Sequence, residues 1–366
     1  MSAEYRVMVV DDSAVTRGLL AKTLESDNDV KVVTTVANGA LALKALETHY
    51  VEVAVLDIEM PVMDGLTALP KLLAKQPGLR VIMASTLTVK NAEISLRALQ
   101  AGAADYITKP SSSGGPQSAA TFKRELVAKV KALAEAVRGR ATARTRTVER
   151  SSGGAVVPAI APKTFQLRKI SAFPPSAIAI GSSTGGPQAL NALVSKLGGP
   201  MKQPIFITQH MPGTFTALLA QHLARSSGIL CAEGRDGEKV TSGRIYLAPG
   251  DRHMLIEEKG GSQTIRLSQA PPENFCRPAV DPMLRSLVPL YGPRLLVVML
   301  TGMGTDGCKG AEAVVKAGGS VIAQDEASSV VWGMPGAVAM AGLCSTVLPL
   351  PELAPYIRKL VMRSAA

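Results

Sequence analysis

An α/β chain of two doubly wound parallel-sheet domains, one flavodoxin-like and one Rossmann-like, joined by a flexible linker, is the fold class this sequence predicts. Three observations predict it. Short apolar runs alternate with helical patterns twice along 366 residues, a length beyond one ordinary hydrophobic core. Hydrophobic residues make up 46% of the chain and aromatics only 4%, the balance of parallel strands built from Val, Ile, Leu and Ala. Between the two alternating halves lies a stretch rich in Arg, Ser, Gly, Ala and Pro, the composition of a connector.

In the first half, strands are expected at Arg6–Val10, Val32–Val36, Val53–Leu56, Val81–Met83 and Tyr106–Ile107. Five strands alternating with helices imply a parallel sheet. Gln117 to Val137 has apolar residues at helical spacing and closes this domain, residues 1–138, as its last helix. Residues 139–175 read as the linker. The second domain, residues 176–366, is expected to hold strands at Ala177–Ile180, Ile205–Thr208, Arg244–Leu247, Leu295–Leu300 and Ser320–Ala323, with helices between several of them.

Charge is concentrated in the connector. The chain carries a net +11, and residues 111–176 hold 12 Lys/Arg against 3 Asp/Glu. Arg138, Arg140, Arg144, Arg146 and Arg150 stand among Ala, Thr and Gly. A basic segment can touch nucleic acid or an acidic partner, but no aromatics are interleaved for base stacking. A solvated connector is therefore expected, and no nucleic-acid partner.

The four cysteines, Cys231, Cys276, Cys308 and Cys344, are widely spaced and form no C-x-x-C pair. Neither a disulfide framework nor a zinc site is suggested, and a reducing, cytoplasmic location is expected. Met1 to Arg6 lacks the charged and apolar regions of a signal peptide. Met334 to Leu350 is interrupted by Ser345, Thr346 and prolines near its ends, so no membrane insertion is expected.

Asp11 and Asp12 directly follow the first strand, and Asp57 ends the third. Three carboxylates thus gather at the carboxyl edge of a parallel sheet, where open α/β sheets bind ligands. They repel one another unless a hard divalent cation is present, and Mg²⁺ is the natural choice. One of them can then attack phosphorus. Ser85, after the fourth strand, can donate its hydroxyl to phosphoryl oxygens, and Lys109, ending the fifth and followed by Pro110, can place an ammonium on them. Alone, each could be a helix cap or a surface charge.

The ordered set D-D, D, S and K-P, together with Met60-Pro61-Val62-Met63-Asp64-Gly65, resembles the receiver domains of two-component response regulators. The resemblance implies that Asp57 is the phospho-acceptor, that Asp11 and Asp12 are the main metal ligands beside it, and that Tyr106 is the aromatic whose orientation reports phosphorylation.

In the second half, Gly181-Ser182-Ser183-Thr184-Gly185-Gly186 fits G-x-S-x-G with Ser183 at its centre. A strand–turn–helix of this kind presents a hydroxyl at a helix N-terminus, with amides facing a developing oxyanion. Such turns also bind phosphates. His210, in Thr208-Gln209-His210-Met211-Pro212, falls at the same sheet edge and is a candidate general base. His222, on an amphipathic helix, and His253, in a loop, read as structural. Asp306, in Leu300-Thr301-Gly302-Met303-Gly304-Thr305-Asp306-Gly307, also falls at that edge and could orient the imidazole. The same segment holds G-x-G-x-x-G after a strand, with Asp325 and Glu326 about 20 residues on, the pattern of a dinucleotide site. An acid inside that turn would repel a pyrophosphate.

Residues 177–350 resemble the catalytic domain of the CheB-type chemotaxis methylesterases through G-S-S-T-G-G-P, T-Q-H-M-P, Y-L-A-P-G-D-R-H-M, L-T-G-M-G-T-D-G and A-Q-D-E-A-S-S-V-V-W-G-M-P. The resemblance implies Ser183 as nucleophile, His210 as base and Asp306 as orienting acid, with Thr184 and Met303 lining the site and no cofactor for the esterase. It also implies methyl-accepting chemoreceptor helices as substrate, a chemotaxis histidine kinase as phosphoryl donor, and a second activity on receptor glutamines. Ser183 would attack a glutamyl methyl ester, His210 would take the serine proton, and amides near Ser183 and Thr184 would hold the oxyanion. The order Ser, His, Asp differs from that of α/β-hydrolases. Two departures from the family stand out, Pro282 within Ala279-Val280-Asp281-Pro282-Met283 and an arginine-rich linker. An unphosphorylated receiver covering the hydrolase edge would couple the domains. The alternatives are a non-enzymatic regulator with a nucleotide-binding second domain, a nucleic-acid output through the linker, and a hydrolase with another ester substrate.

Overall fold

The structure is a computed structural model and describes residues 4–86, 88–109, 116–151, 165–198 and 201–363. The chain divides into two compact units, Met1–Ile160 and Ala161–Ala366.

In the first unit strand and helix alternate: β1 (Tyr5–Val10), α1 (Ala14–Glu25), β2 (Val30–Val36), α2 (Gly39–Ala45), β3 (Val53–Asp57), α3 (Gly65–Lys75), β4 (Arg80–Ser85), α4 (Val89–Gln100), β5 (Asp105–Thr108) and α5 (Pro116–Ser151). All five strands are parallel, in the order β2-β1-β3-β4-β5. Every residue of β3, Val-Ala-Val-Leu-Asp, is buried, because helices cover both faces of such a sheet. The chain reverses its direction of winding between β1 and β3. Their carboxyl ends therefore frame the crevice in which this topology binds ligands.

Two caps keep the crevice's acids available. Ser13 caps α1 by accepting the Thr16 amide at 3.3 Å, so Asp11 and Asp12 are not used for that purpose. Asp64 caps α3, its Oδ1 accepting the Thr67 amide at 2.7 Å.

The connector differs from the expectation at both ends. Helix α5 runs past Val137 to Ser151, because Ala, Arg and Glu favour helix and no proline interrupts the stretch. Arg138 is anchored in the first unit, its Nε donating at 2.6 Å to Oε1 of buried Glu52 and its Nη2 at 2.7 Å to the Glu4 carbonyl. Residues 165–175 run along the second unit. There the Arg168 amide donates to Cys344 O at 2.8 Å and the Ser171 amide to Ser320 Oγ at 2.9 Å. The remainder of the expected flexible linker, residues 152–164, lies outside the described residues.

The second unit comprises β6 (Ala177–Ser182), α6 (Gly186–Leu197), β7 (Ile205–Gln209), α7 (Gly213–Ser227), β8 (Leu230–Glu233), β9 (Arg244–Leu247), β10 (His253–Lys259), β11 (Ser262–Ser268), α8 (Val280–Tyr291), β12 (Leu295–Met299), α9 (Cys308–Lys316), β13 (Ser320–Gln324), α10 (Met334–Met340), β14 (Thr346–Leu348) and α11 (Leu350–Val361). Seven of these strands form a parallel sheet ordered β14-β13-β12-β6-β7-β9-β8. The central strand β6 thus lies between β12 and β7. The five expected strands are all present, joined by edge strands β8 and β14.

A hairpin replaces the loop expected around His253. Strands β10 and β11 pair antiparallel from His253↔Ser268 to Lys259↔Ser262. Gly260 and Gly261 connect them with φ of 58° and 71°, the left-handed pair that a two-residue turn requires. Met254, Ile256 and Ile265 from this hairpin join the unit's buried core. His253 itself is buried, donating from Nε2 to Pro271 O (3.1 Å) and accepting the Ala279 amide on Nδ1 (3.1 Å). Both ring nitrogens serve the fold, as expected of a structural histidine.

Candidate functional site

The first unit brings its four polar landmarks together. Carboxylate oxygens of Asp11, Asp12 and Asp57 lie within 4.8 Å of one another. Lys109 Nζ stands 2.6 Å from Asp11 Oδ2 and 2.7 Å from Asp57 Oδ1. Asp11 and Asp57 are buried and Asp12 is exposed. Burial raises the Asp57 carboxyl above its ordinary range, more than the Lys109 ammonium lowers it, and neighbouring Asp11 adds to the rise. Burial pulls the Lys109 ammonium down, but the two carboxylates outweigh it and hold the proton more firmly than usual.

The acidic pocket fits a small divalent cation such as Mg²⁺, since it offers clustered hard oxygen donors on a sheet edge. Ser85 Oγ is buried beside it and has no hydrogen-bond partner among the described residues. A buried hydroxyl without a partner is costly unless a ligand satisfies it. Tyr106 is buried, its ring under the Lys129 ammonium at 5.1 Å.

In the second unit, adjacent strands β12, β6 and β7 deliver Asp306, Ser183 and His210 to one rim. The register pairs Ser182 with Gln209, so Ser183 and His210 are the next residues on neighbouring chains. The His210 amide donates to Ser182 O at 3.2 Å. Gln209 locks the two turns together: its Oε1 accepts from Ser182 Oγ at 2.7 Å and its Nε2 donates to Ser183 O at 2.9 Å.

Asp306 and His210 meet directly, with His210 Nε2 2.7 Å from Asp306 Oδ2. The Asp306 carboxylate also accepts amides from Val280 (2.6 Å), Asp281 (3.2 Å) and Gly307 (2.9 Å), and Nδ2 of Asn274 at 3.0 Å. Burial pushes its pKa up, but the bond to His210 and these donors outweigh that and hold it below the usual carboxylate range. Burial lowers the His210 pKa, yet the Cys276 thiol and Asp306 more than offset it, leaving the imidazole at about 10.

Ser183 Oγ makes no hydrogen bond to His210 among the described residues; the other ring nitrogen, Nδ1, faces Cys276 Sγ at 3.4 Å. The Ser183 amide donates to Thr301 O at 3.1 Å, because the turn after β6 must pair with the end of β12. Thr184 is buried, its carbonyl accepting from Thr301 Oγ1 at 2.9 Å, while Met303 is half-buried on the turn before Asp306.

Two glycines of G-x-G-x-x-G serve internal packing, and the middle one, Gly304, takes a left-handed φ of 87°. A Cβ at Gly302 would lie 2.9 Å from Ser183 Cβ and one at Gly307 would lie 2.5 Å from Met299 Cε. Asp306 fills the turn where a pyrophosphate would need amides. Pro282 lies in the first turn of α8, where a missing amide costs nothing. Sequence reasoning missed Asn274, Cys276 and Asp281. Asp281 directly precedes the flagged Pro282, and Cys276 had been counted only as an unpaired thiol.

A histidine–carboxylate pair beside a serine turn is hydrolytic apparatus, and upstream of it stands an acidic phosphoryl-type pocket. The class so defined is a response regulator with an enzymatic output domain. Family profiles match accordingly, the response regulator receiver domain over residues 7–115 and CheB methylesterase over residues 178–357. A Paramagnetospirillum magneticum protein, protein-glutamate methylesterase/protein-glutamine glutaminase 1, is 56% identical over 98% of this chain and 96% of its own length. An Azospirillum brasilense protein-glutamate methylesterase/protein-glutamine glutaminase is likewise 56% identical, over 98% of this chain and 93% of its own length. Among solved structures, the CheB methylesterase catalytic domain of Thermotoga maritima aligns with a TM-score of 0.50 and 39% identity, covering 52% of this chain and 100% of that one. The chain belongs to the CheB methylesterase family.

Proposed function

We propose that this chain is a phosphorylation-activated protein-glutamate methylesterase that also deamidates glutamine, acting on chemoreceptors in chemotaxis adaptation. The observation that carries this reading is the bond between His210 and Asp306 on strands flanking the Ser183 turn. Ser183 attacks the glutamyl ester carbonyl. His210 takes its proton and returns it to the departing methanol, and Asp306 holds the imidazole and stabilises its charged form. Water then attacks the acyl-enzyme by the same path in reverse. A glutamine side chain enters the same tetrahedral route, with ammonia leaving instead of methanol. Because Nε2 is held by Asp306, the nitrogen that serves Ser183 is Nδ1. Thr184 and Met303 line the space above the hydroxyl.

In the receiver, Asp57 accepts the phosphoryl group from a histidine kinase. Asp11, Asp12 and Asp57 would hold Mg²⁺, which would supply shielding of negative charge beside the phosphoryl group. Lys109 and Ser85 contact those oxygens, and Tyr106 reports the change. The receptor substrate is a cytoplasmic helical segment bearing esterified glutamates. Among the described residues no helix is long and apolar enough to cross a membrane.

The test is methanol release from methylated receptors by the full chain. Release is expected to rise when a phosphoryl donor and Mg²⁺ are added together, and to fall back to the basal rate when Mg²⁺ is chelated. A chain that releases no methanol under any of these conditions contradicts the reading.

A further inference from the structure

His210 has one nitrogen for two claimants. Nε2 is bound to Asp306 at 2.7 Å, so Nδ1 must receive the Ser183 proton, and Nδ1 is engaged by Cys276 Sγ at 3.4 Å. The turn that brings the thiol there is costly. Glu273 and Cys276 exchange two backbone hydrogen bonds (3.1 and 2.8 Å) around Asn274 and Phe275, both left-handed with φ of 52° and 63°. Non-glycine residues adopt that region reluctantly, and phenylalanine more so than asparagine. The same turn aims Asn274 Nδ2 between Asp281 Oδ2 (3.1 Å) and Asp306 Oδ1 (3.0 Å). A single strained turn therefore supplies a partner to the triad's acid and another to its base.

We propose that Cys276 is a positioning residue that competes with Ser183 for His210 Nδ1, holds the imidazole in a resting arrangement, and sets the pH at which the esterase becomes competent. This rests on the assignment of Ser183 and His210 as nucleophile and base. While Sγ engages Nδ1 that nitrogen cannot take the serine proton, and Cys276, together with Asp306, favours the protonated imidazole. The titratable groups around His210 are Cys276 on the loop before α8, Asp306 on the turn between β12 and α9, and, joined to Asp306 through Asn274, Asp281 on α8. Asp306 and Asp281 are common to enzyme and variant alike, so a change on removing Cys276 isolates the thiol.

The experiment compares pH profiles of kcat/KM for methanol release by the full chain, Cys276→Ala, Cys276→Ser and Ser183→Ala. Both cysteine variants are expected to show an acid limb moved down by about one pH unit or more, and release at neutral pH raised about tenfold. An unmoved limb in either folded variant overturns the proposal while leaving an inactive Ser183→Ala consistent with the catalytic assignment. Release that survives Ser183→Ala but vanishes in both cysteine variants makes the thiol the nucleophile and overturns both. A readout that needs no cysteine variant is alkylation of the intact chain by iodoacetamide: with Cys276 Sγ engaged by His210 Nδ1 at 3.4 Å, the labelling rate of Cys276 should change severalfold in His210→Gln. An unchanged rate contradicts the pairing.

Discussion

Asp306 can remain ionised at 2% exposure because five donors converge on it, one of them the imidazole. The consequence for stability has a definite sign. The folded chain keeps a proton on His210 up to about pH 10, whereas the unfolded chain loses it near 6.5. The folded state thus binds more protons between those values, and the contribution, complete below 6.5, is lost as pH rises. Thermal melts between about pH 6.5 and 8.5 should show Tm falling with pH in the native chain. In His210→Gln the slope should flatten, and an unchanged slope would mean that the imidazole is not held as its charged form.

At this scale the sequence was partly legible. Ser183, His210 and Asp306 each end or follow a readable apolar strand, so their common rim followed from topology alone. Asn274 and Cys276 sit on a turn with no periodicity and with left-handed conformations that no glycine announced. The pairing of the Ser183 amide with Thr301 was illegible for a similar reason, since it joins segments over 100 residues apart in the chain.

Elements explain why particular small residues stand where they do. Gly65 opens α3 against the end of β3, and a Cβ there would lie 2.0 Å from the Asp57 carbonyl oxygen. Backbone on both sides leaves nowhere to move. Gly65→Ala should therefore destabilise the receiver by about 1–3 kcal/mol and slow phosphorylation of Asp57 by displacing it, measurable by denaturant unfolding and by phosphoryl incorporation. Normal stability and labelling would show that the loop relaxes freely. The hairpin β10–β11 carries its signal in Gly260-Gly261 between alternating runs, but one antiparallel pair is masked by the parallel α/β alternation on either side of it. Edge strands β8 and β14 span four and three residues, too short for any period to stand out. Helix α5 extends past Val137 because its arginines, conspicuous for their charge, are also good helix formers.

For the molecule as a whole, two α/β units were evident from the twofold alternation of strands and helices. The seam between them was placed less well, because residues 165–175 have linker composition but hydrogen-bond to the second unit. The coupling proposed for the receiver predicts that a chain lacking residues 1–160 releases methanol faster than the unphosphorylated full chain and no longer responds to a phosphoryl donor. A folded fragment with unchanged or lower activity would count against inhibition by the receiver.

The central claim is that Ser183, served by His210 and Asp306, carries the chemistry. Methanol release from methylated receptors by the full-length Ser183→Ala variant tests it most directly. The account predicts a loss of about a thousandfold or more, with the thermal unfolding midpoint unchanged; a folded variant that releases methanol at the native rate would contradict it.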